Sequence, residues 1–179
     1  MCALRTALEA GSTPEGFDFA GEPSIKGHGD YDLLEEIGRG GMGVVFRARQ
    51  KSLNRFVALK VLYGGVFASP AGRKQLLSEA AAAARLRHPN IVAVHQTGEL
   101  DGQPFYSMDF IAGRTLAEVA RSGPVSPHRA AGWLQKIATA VHYAHSQNVL
   151  HRDLKPSNVL LTEADEPRIT DFGLAKVLD

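Results

Sequence analysis

Acidic, amide and basic side chains that could bind phosphate and a metal ion stand in three short stretches of the chain. Lys60 ends the sequence VALK, Asp153, Lys155 and Asn158 lie in the octapeptide HRDLKPSN, and Asp171 begins DFG. Carboxylate and amide oxygens are ligands that Mg²⁺ prefers, and lysine ammonium groups bind phosphate oxygens. A carboxylate beside a hydroxyl can also act as a base. These residue types therefore predict a site for a phosphate compound and magnesium.

A glycine-rich stretch, GRGGMG at 38–43, precedes these residues. Glycines let backbone N–H groups approach phosphate oxygens without an intervening Cβ. The pattern G-x-G-x-x-G also occurs in dinucleotide-binding folds, where its last glycine opens a helix. Here Val44, Val45 and Phe46 follow, and β-branched and aromatic residues favour a strand. The loop is therefore predicted to join two strands over a phosphate group. Considered alone, it could also be a flexible hairpin turn.

The elements that must position these residues follow from hydrophobic patterning and from turn and cap signals. Strands are predicted at about 31–37, 44–48 and 55–62, then a helix from the cap Ser69-Pro70 to about Arg87, then a hairpin of strands 91–98 and 103–110. Helices at 115–121 and 126–147 and short strands at 158–162 and 168–170 complete the prediction. This order predicts an α+β, two-lobed fold.

Lys60 occupies an unusual position in its predicted strand. Alternation along the strand places Ala58, Lys60 and Leu62 on one face, and a lysine on an apolar face is costly without a partner. In the following predicted helix, Glu79 is the only charged residue on the apolar stripe that includes Leu76. Glu79 is therefore a candidate partner for Lys60. The alternative, a glutamate that faces solvent, leaves Lys60 unexplained.

Composition limits the class of protein. The chain has 179 residues, of which 44% are hydrophobic, so it can form one packed domain. Its net charge of +1 gives no indication that it binds nucleic acid or an acidic membrane surface. Its single cysteine, Cys2, excludes an internal disulfide framework and fits a reducing compartment. The sequence has no apolar run long enough for a membrane helix. Glycine and proline are frequent in residues 1–30, which predicts a disordered or flexible tail.

The glycine loop, VALK, HRDLKPSN and DFG occur in the order found in the protein kinase family, which the chain resembles from about Tyr31 to its last residue. The spacings from Lys60 to Glu79 and from Asp153 to Asp171 are also similar to the family's. HRDLKPSN resembles the serine/threonine branch, and GGMGVVF with VALK resembles its bacterial members. The resemblance implies a kinase-like fold with a small lobe at about 31–108, a hinge at about 109–113 and the start of a helical large lobe at 114–179. The small lobe would be an antiparallel sheet with one helix.

The resemblance also implies a role for each site residue. Asp153 would be the catalytic base, Lys155 would stabilise the transferring phosphoryl group, and Lys60, paired with Glu79, would bind the ATP phosphates. Asn158 and Asp171 would hold Mg²⁺. The implied ATP-binding residues are Ile37, Gly38, Arg39, Gly40, Gly41, Met42, Gly43, Val45, Ala58, Lys60, Met108, Asp109, Ile111 and Leu160. His151 would brace the catalytic loop, and Phe172 would pack as the hydrophobic residue that distinguishes active from inactive states.

The implied activity is that of an ATP- and Mg²⁺-dependent serine/threonine protein kinase, which transfers the γ-phosphoryl group of ATP to a hydroxyl of a protein substrate. No nucleic-acid partner and no membrane segment are expected, and the expected location is the cytoplasm or the cytoplasmic face of a membrane. The family continues beyond DFG, so the chain is expected to be a fragment of low activity whose helix 126–147 exposes Trp133 and Ile137. The alternative is a non-catalytic nucleotide-binding or interaction module, a kinase remnant.

Overall fold

A computed structural model describes residues 27–63 and 80–172. Within these ranges the strands are β1 (Gly27–His28), β2 (Tyr31–Gly40), β3 (Gly43–Gln50), β4 (Arg55–Leu62), β5 (Val94–Leu100), β6 (Gln103–Asp109), β7 (Gly113–Thr115), β8 (Val159–Thr162) and β9 (Pro167–Ile169). The helices are α1 (Leu116–Ser122) and α2 (Pro127–Ser146), with a 3₁₀ turn at Pro156–Asn158. The described elements follow the predicted order, and the structure adds β1 and β7.

The small-lobe sheet carries Lys60 on its central strand. In the described residues it has six antiparallel strands in the order β1-β2-β3-β4-β6-β5. The register of β4 and β6 places Lys60 opposite Tyr106 and Ala58 opposite Met108. Ala58 packs in one apolar cluster and Leu59 in another, which confirms the predicted alternation along β4.

The helix before β5 ends earlier than the sequence predicts. Residues 80–83 are helical and residues 84–85 form a turn, whereas the prediction extended the helix to Arg87. The N–H groups of Arg85 and Leu86 bond to carbonyls three residues back, at 3.2 and 3.1 Å, so the chain tightens out of the helix before His88-Pro89 is reached. The predicted cap at Ser69-Pro70 and the candidate partner Glu79 lie outside the described residues.

Both large-lobe helices begin within one residue of the predicted positions. Thr115 caps α1 in a reciprocal capping box with Glu118, and Ser126 caps α2 with Pro127 in its first turn. Strands β7, β8 and β9 form a second antiparallel sheet in that order, so the residues after the hinge pair with the strand that follows the catalytic loop.

Helix α2 packs its apolar face over the second sheet. Trp133 and Ile137 are 5% and 7% exposed and belong to a cluster with Val159 and Ile169. The expectation that these two α2 residues form an exposed apolar patch is therefore wrong, because β8, β9 and the segment after residue 83 cover this face. Leu134, the next residue along, is the exposed one.

A short segment before β5 connects the two sheets. The N–H of Val92 donates to the carbonyl of Ile169, and the N–H of Ile169 donates to the carbonyl of Asn90, each at 2.8 Å. The buried amide of Asn90 donates to the carbonyl of Pro167, also at 2.8 Å. These bonds fix β9 against the small lobe and so set the position of Asp171, two residues after β9.

Candidate active site

Lys60 and Asp171 meet between the lobes. Lys60 Nζ lies 2.9 Å from Asp171 Oδ2, and the lysine is only 6% exposed. An ammonium group this buried requires an anionic partner, because the charged form loses its hydration. In the part of the chain that the structure describes, Asp171 is such a partner. The predicted pairing of Lys60 with Glu79 stays a prediction, because Glu79 lies outside the described residues. The pairing of Lys60 with Asp171 brings together two residues that are more than one hundred positions apart.

Tyr106 contacts the other oxygen of the same carboxylate. Its hydroxyl donates to Asp171 Oδ1 at 2.5 Å, and its ring lies beneath Lys60, with Nζ 5.8 Å from the ring centroid. Burial, and secondly the negative charge of Asp171, raises the pKa of Tyr106 well above its ordinary value of 10.0. The phenol therefore stays protonated and acts as a donor. Tyr106 belongs to none of the sequence motifs, and only the register of β4 and β6 places it opposite Lys60.

The segment HRDLKPSN surrounds Asp153 with donors. Lys155 Nζ lies 2.7 Å from Asp153 Oδ2. The Asn158 side-chain nitrogen donates to the Asp153 backbone carbonyl at 2.8 Å and to Oδ2 at 3.2 Å. The hydrogen bond from Lys155 is the main reason that the pKa of Asp153 is lowered below its ordinary value of 3.8. The carboxylate is therefore ionised at neutral pH and can accept a hydrogen bond from a hydroxyl.

His151 connects the catalytic loop to the segment before Asp171. Its Nε2 lies 2.9 Å from the carbonyl of Thr170, and its Nδ1 accepts the N–H of Asp153 at 3.3 Å. A carbonyl can only accept, so Nε2 carries the proton and the imidazole is neutral. Burial lowers the pKa of His151, which favours the neutral ring. Phe172 packs on the ring with centroids 4.6 Å apart, so one side chain braces both Asp153 and the DFG segment.

Two of the six non-glycine residues with positive φ in the described part of the chain lie at this site. Arg152 has φ +64° and Asp171 has φ +62°, both in the left-handed region that side chains with a Cβ seldom adopt. Each such residue costs about 1–3 kcal/mol and persists only where its surroundings hold it. For Asp171 the surroundings are the bonds to Lys60 and Tyr106. The strain turns its carboxylate back towards β4 and β6.

Asn158 and Asp171 are suited to Mg²⁺. The N–H of Thr170 donates to the backbone carbonyl of Asn158 at 3.0 Å, which sets Asn158 beside the residue before Asp171. Since its side-chain nitrogen is bonded to Asp153, Asn158 offers its amide oxygen to a cation. An amide oxygen and a carboxylate, completed by phosphate oxygens and water, are what Mg²⁺ usually takes. Across residues 27–63 and 80–172, no group of three or more His, Cys, Asp or Glu is placed to hold a metal.

The residues implied for the adenine pocket come together in one apolar cluster. Ala58 and Met108 form its buried centre with Tyr106, and Val45, Ile111, Leu160 and Met42 pack against them. Ile37 differs, since it is 43% exposed and outside this cluster. At the hinge, the N–H of Asp109 donates to Ala93 at 3.0 Å and its carboxylate lies 2.9 Å from His95 Nε2.

The glycine loop joins β2 to β3, as predicted, with Gly40 opposite Gly43 in the last pair of the ladder. Its glycines differ in their surroundings. A Cβ on Gly43 would overlap the carbonyl oxygen of Val61, whereas one on Gly40 or Gly41 would have nothing within 4 Å. Arg39 bonds twice to Glu36, at 2.6 and 2.9 Å. Gly43 is therefore required by sheet packing, and Gly40 and Gly41 leave space for a ligand.

A cavity of about 490 Å³ lies elsewhere in the described residues, between β7, α1 and the start of α2. The ion pair of Arg129 and Asp165, at 2.6 Å, belongs to its lining. None of the residues implied for ATP or magnesium lines this cavity, so it is separate from the site described above.

Comparison with known proteins agrees with this geometry. Residues 31–179 match the family model described as the protein kinase domain. The chain is 40% identical over 148 residues to the serine/threonine-protein kinase PknH of Mycobacterium bovis, covering 82% of this chain and 25% of the relative. It is also 40% identical over 149 residues to PknD of Mycobacterium tuberculosis, covering 83% of this chain and 22% of that relative. The chain thus spans about a quarter of the length of these relatives.

Solved structures agree as well. The kinase domain of Mycobacterium tuberculosis PknI, as its C20A mutant, superposes with a TM-score of 0.77 at 33% identity, covering 87% of this chain and 64% of that chain. The chain belongs to the protein kinase family. Within the family it is a member of the bacterial, Hanks-type serine/threonine branch, and the predicted α+β two-lobed fold is confirmed. Among the described helices, none has the length and apolar character needed to cross a membrane.

Proposed function

We propose that this chain binds Mg·ATP between the glycine loop and the catalytic loop and transfers the γ-phosphoryl group to a serine or threonine hydroxyl of a protein. The observation that carries the proposal is the convergence of four side chains from distant parts of the sequence. Lys60 pairs with Asp171, while Asn158 contacts Asp153 through its side chain and Thr170 through its backbone. These contacts support a single site in which phosphate binding, metal binding and the base act together.

Each residue has a chemical task in this proposal. The ionised Asp153 accepts a hydrogen bond from the substrate hydroxyl and orients its oxygen towards the phosphorus, a contribution typically of about 10²–10⁴-fold. Lys155 and Lys60 balance negative charge on the phosphate oxygens. Asn158 and Asp171 hold magnesium. The bound ion would neutralise charge on the phosphates and orient them.

The remaining sequence assignments are part of the same proposal. Residues 31–108 act as the small lobe, 109–113 as the hinge and 114–179 as the beginning of the large lobe. The apolar cluster around Ala58 and Met108 receives the adenine ring. A single cysteine supports work in a reducing compartment, either in the cytoplasm or at the cytoplasmic face of a membrane, and the protein substrate supports a role in signal transduction.

The test separates binding from transfer. The chain, expressed with any coding sequence that flanks it, is assayed for Mg·ATP affinity by calorimetry and for phosphoryl transfer from radiolabelled ATP to a basic protein substrate. Asp153→Asn should leave Mg·ATP affinity near that of the wild type and reduce transfer by about 10²-fold or more. Asp165→Asn is the matched control, because Asp165 pairs with the basic side chain of Arg129, as Asp153 pairs with Lys155, but lies outside the site.

Two outcomes would count against the proposal. If Asp153→Asn transfers phosphate as fast as the wild type, Asp153 is not the base. If the wild type binds Mg·ATP but transfers no phosphate to any hydroxyl, the chain is the non-catalytic nucleotide-binding module that the sequence left as the alternative.

A further inference from the structure

We propose that Tyr106 is a positioning residue that holds the Asp171 carboxylate in the orientation needed to bind magnesium. The inference rests on the proposed function, since it concerns the same Mg·ATP site. It adds a residue that none of the sequence motifs contains. The hydroxyl of Tyr106, 2.5 Å from Asp171 Oδ1, is the contact from which it begins.

The carboxylate is held at both of its oxygens by groups on neighbouring strands. Lys60 on β4 lies 2.9 Å from Oδ2, and Tyr106, directly opposite Lys60 in the register, bonds to Oδ1. Because two strands of one sheet supply the two donors, their separation is fixed by the backbone ladder. A carboxylate held at two points can neither rotate about its last torsion nor swing away.

The bond from Tyr106 leaves the carboxylate able to bind a cation. An ionised carboxylate has about four lone-pair positions, so the two donors leave about two of them for a metal. Lys60 carries a positive charge that repels a cation, whereas the phenol is neutral and orients the carboxylate without this repulsion. Tyr106 can therefore remain bonded while Asp171 binds the ion. In other metal sites, groups that hydrogen-bond to a metal-ligating side chain orient it in this way.

The surroundings of Tyr106 show that its hydroxyl is not needed for packing alone. Its ring is buried among Ala58, Leu62 and Met108, where phenylalanine would fill nearly the same volume. Asp171 also adopts φ +62°, a strained conformation that needs external support. The hydroxyl supplies that support at the end of the side chain.

The experiment measures ATP binding to the purified chain by calorimetry, once with Mg²⁺ and once with EDTA, and Mn²⁺ binding in the presence of ATP by electron paramagnetic resonance. Tyr106→Phe should weaken metal-dependent binding by about 10-fold, the usual effect of losing an outer partner of a metal ligand. Binding of ATP in EDTA should be unchanged. Tyr31→Phe is the matched control, because Tyr31 is equally buried in the same sheet and its hydroxyl bonds to Ser107 and Gln96 instead.

A second variant separates positioning from folding. In an Asp171→Asn background, Tyr106→Phe should cause no further loss of Mn²⁺ binding, since the group that it positions is already changed. Equal weakening of ATP binding in Mg²⁺ and in EDTA would overturn the inference, because it would indicate lost pocket packing. Tighter metal binding by Tyr106→Phe would also overturn it, because the phenol would then compete with the ion. If the wild type binds ATP no better with Mg²⁺ than with EDTA, the proposed function itself fails.

Discussion

Two glycines of the same loop should respond in opposite ways to alanine. A Cβ on Gly43 would overlap the carbonyl oxygen of Val61 and lie 3.0 Å from Leu62 Cα, both of which are backbone atoms of β4. Since β4 is a central strand, it cannot move away without breaking pairs with β6. We predict that Gly43→Ala lowers the free energy of unfolding by about 1–3 kcal/mol, the usual cost of overpacking. Gly41 has an open environment and no positive φ, so Gly41→Ala should leave stability unchanged or raise it by up to about 1 kcal/mol.

Thermal unfolding and calorimetric titration with Mg·ATP measure the two effects separately. For a chain of this size, about 1 kcal/mol corresponds to roughly 2–4 °C in Tm, so the loss predicted for Gly43→Ala is measurable. Gly41→Ala should retain the wild-type Tm and bind Mg·ATP more weakly, because its methyl group would stand between backbone N–H groups and the phosphates. Equal losses of Tm in the two variants would refute the packing argument. Wild-type affinity in Gly41→Ala would refute the placement of the phosphates under this loop.

Three further predictions follow from the site and from the core. Lys60→Met should abolish measurable Mg·ATP binding and lower the free energy of unfolding by about 3 kcal/mol, because Asp171 loses its cation. Calorimetry measures the binding and urea denaturation the free energy of unfolding. Unchanged stability would contradict the ion pair. Trp133→Ala should lower the free energy of unfolding by about 3–5 kcal/mol in urea denaturation, since the indole is 5% exposed. Leu134→Ala should leave it nearly unchanged, because Leu134 is exposed. Similar losses in both variants would contradict the observed orientation of α2. Burial lowers the pKa of His151 below 6.5, so the folded state binds a proton at this residue less readily than the unfolded state does. The contribution of His151 to the free energy of unfolding should therefore be complete above pH 6.5 and be lost as the pH falls through the lowered pKa. His151→Gln should flatten that decline in Tm, and an unaltered pH profile would refute the assignment.

The sequence predicted most of the described elements because their signals are local. The caps at Thr115 and Ser126 act on the next three residues, and the alternation that places Lys60 on an apolar face needs only one strand. By contrast, β7 was not predicted. Its three residues, Gly113–Thr115, have no strand periodicity of their own and are ordered by pairing with β8.

The prediction that α2 exposes Trp133 and Ile137 was wrong for a related reason. An amphipathic helix shows which of its faces is apolar, but the sequence does not show which distant segment covers that face. Trp133 and Ile137 are covered by β8, β9 and the segment after residue 83, all of which are far from α2 along the chain. The prediction assumed that later parts of the family's large lobe were needed for this, whereas elements already within the described residues are sufficient.

The contacts of Asp171 illustrate the same limit within the site. Its chemical type and spacing indicate a metal ligand, but the partners that orient it belong to strands β4 and β6 and become neighbours only through sheet register. Tyr106 belongs to no motif, and its sequence neighbours read as an ordinary buried strand. Asn90 likewise acts at a distance, since its amide fixes Pro167 and thereby the strand that leads to Asp171. Motifs in this chain therefore identify the groups that can do chemistry, while residues outside the motifs determine whether those groups meet in a geometry that can perform it.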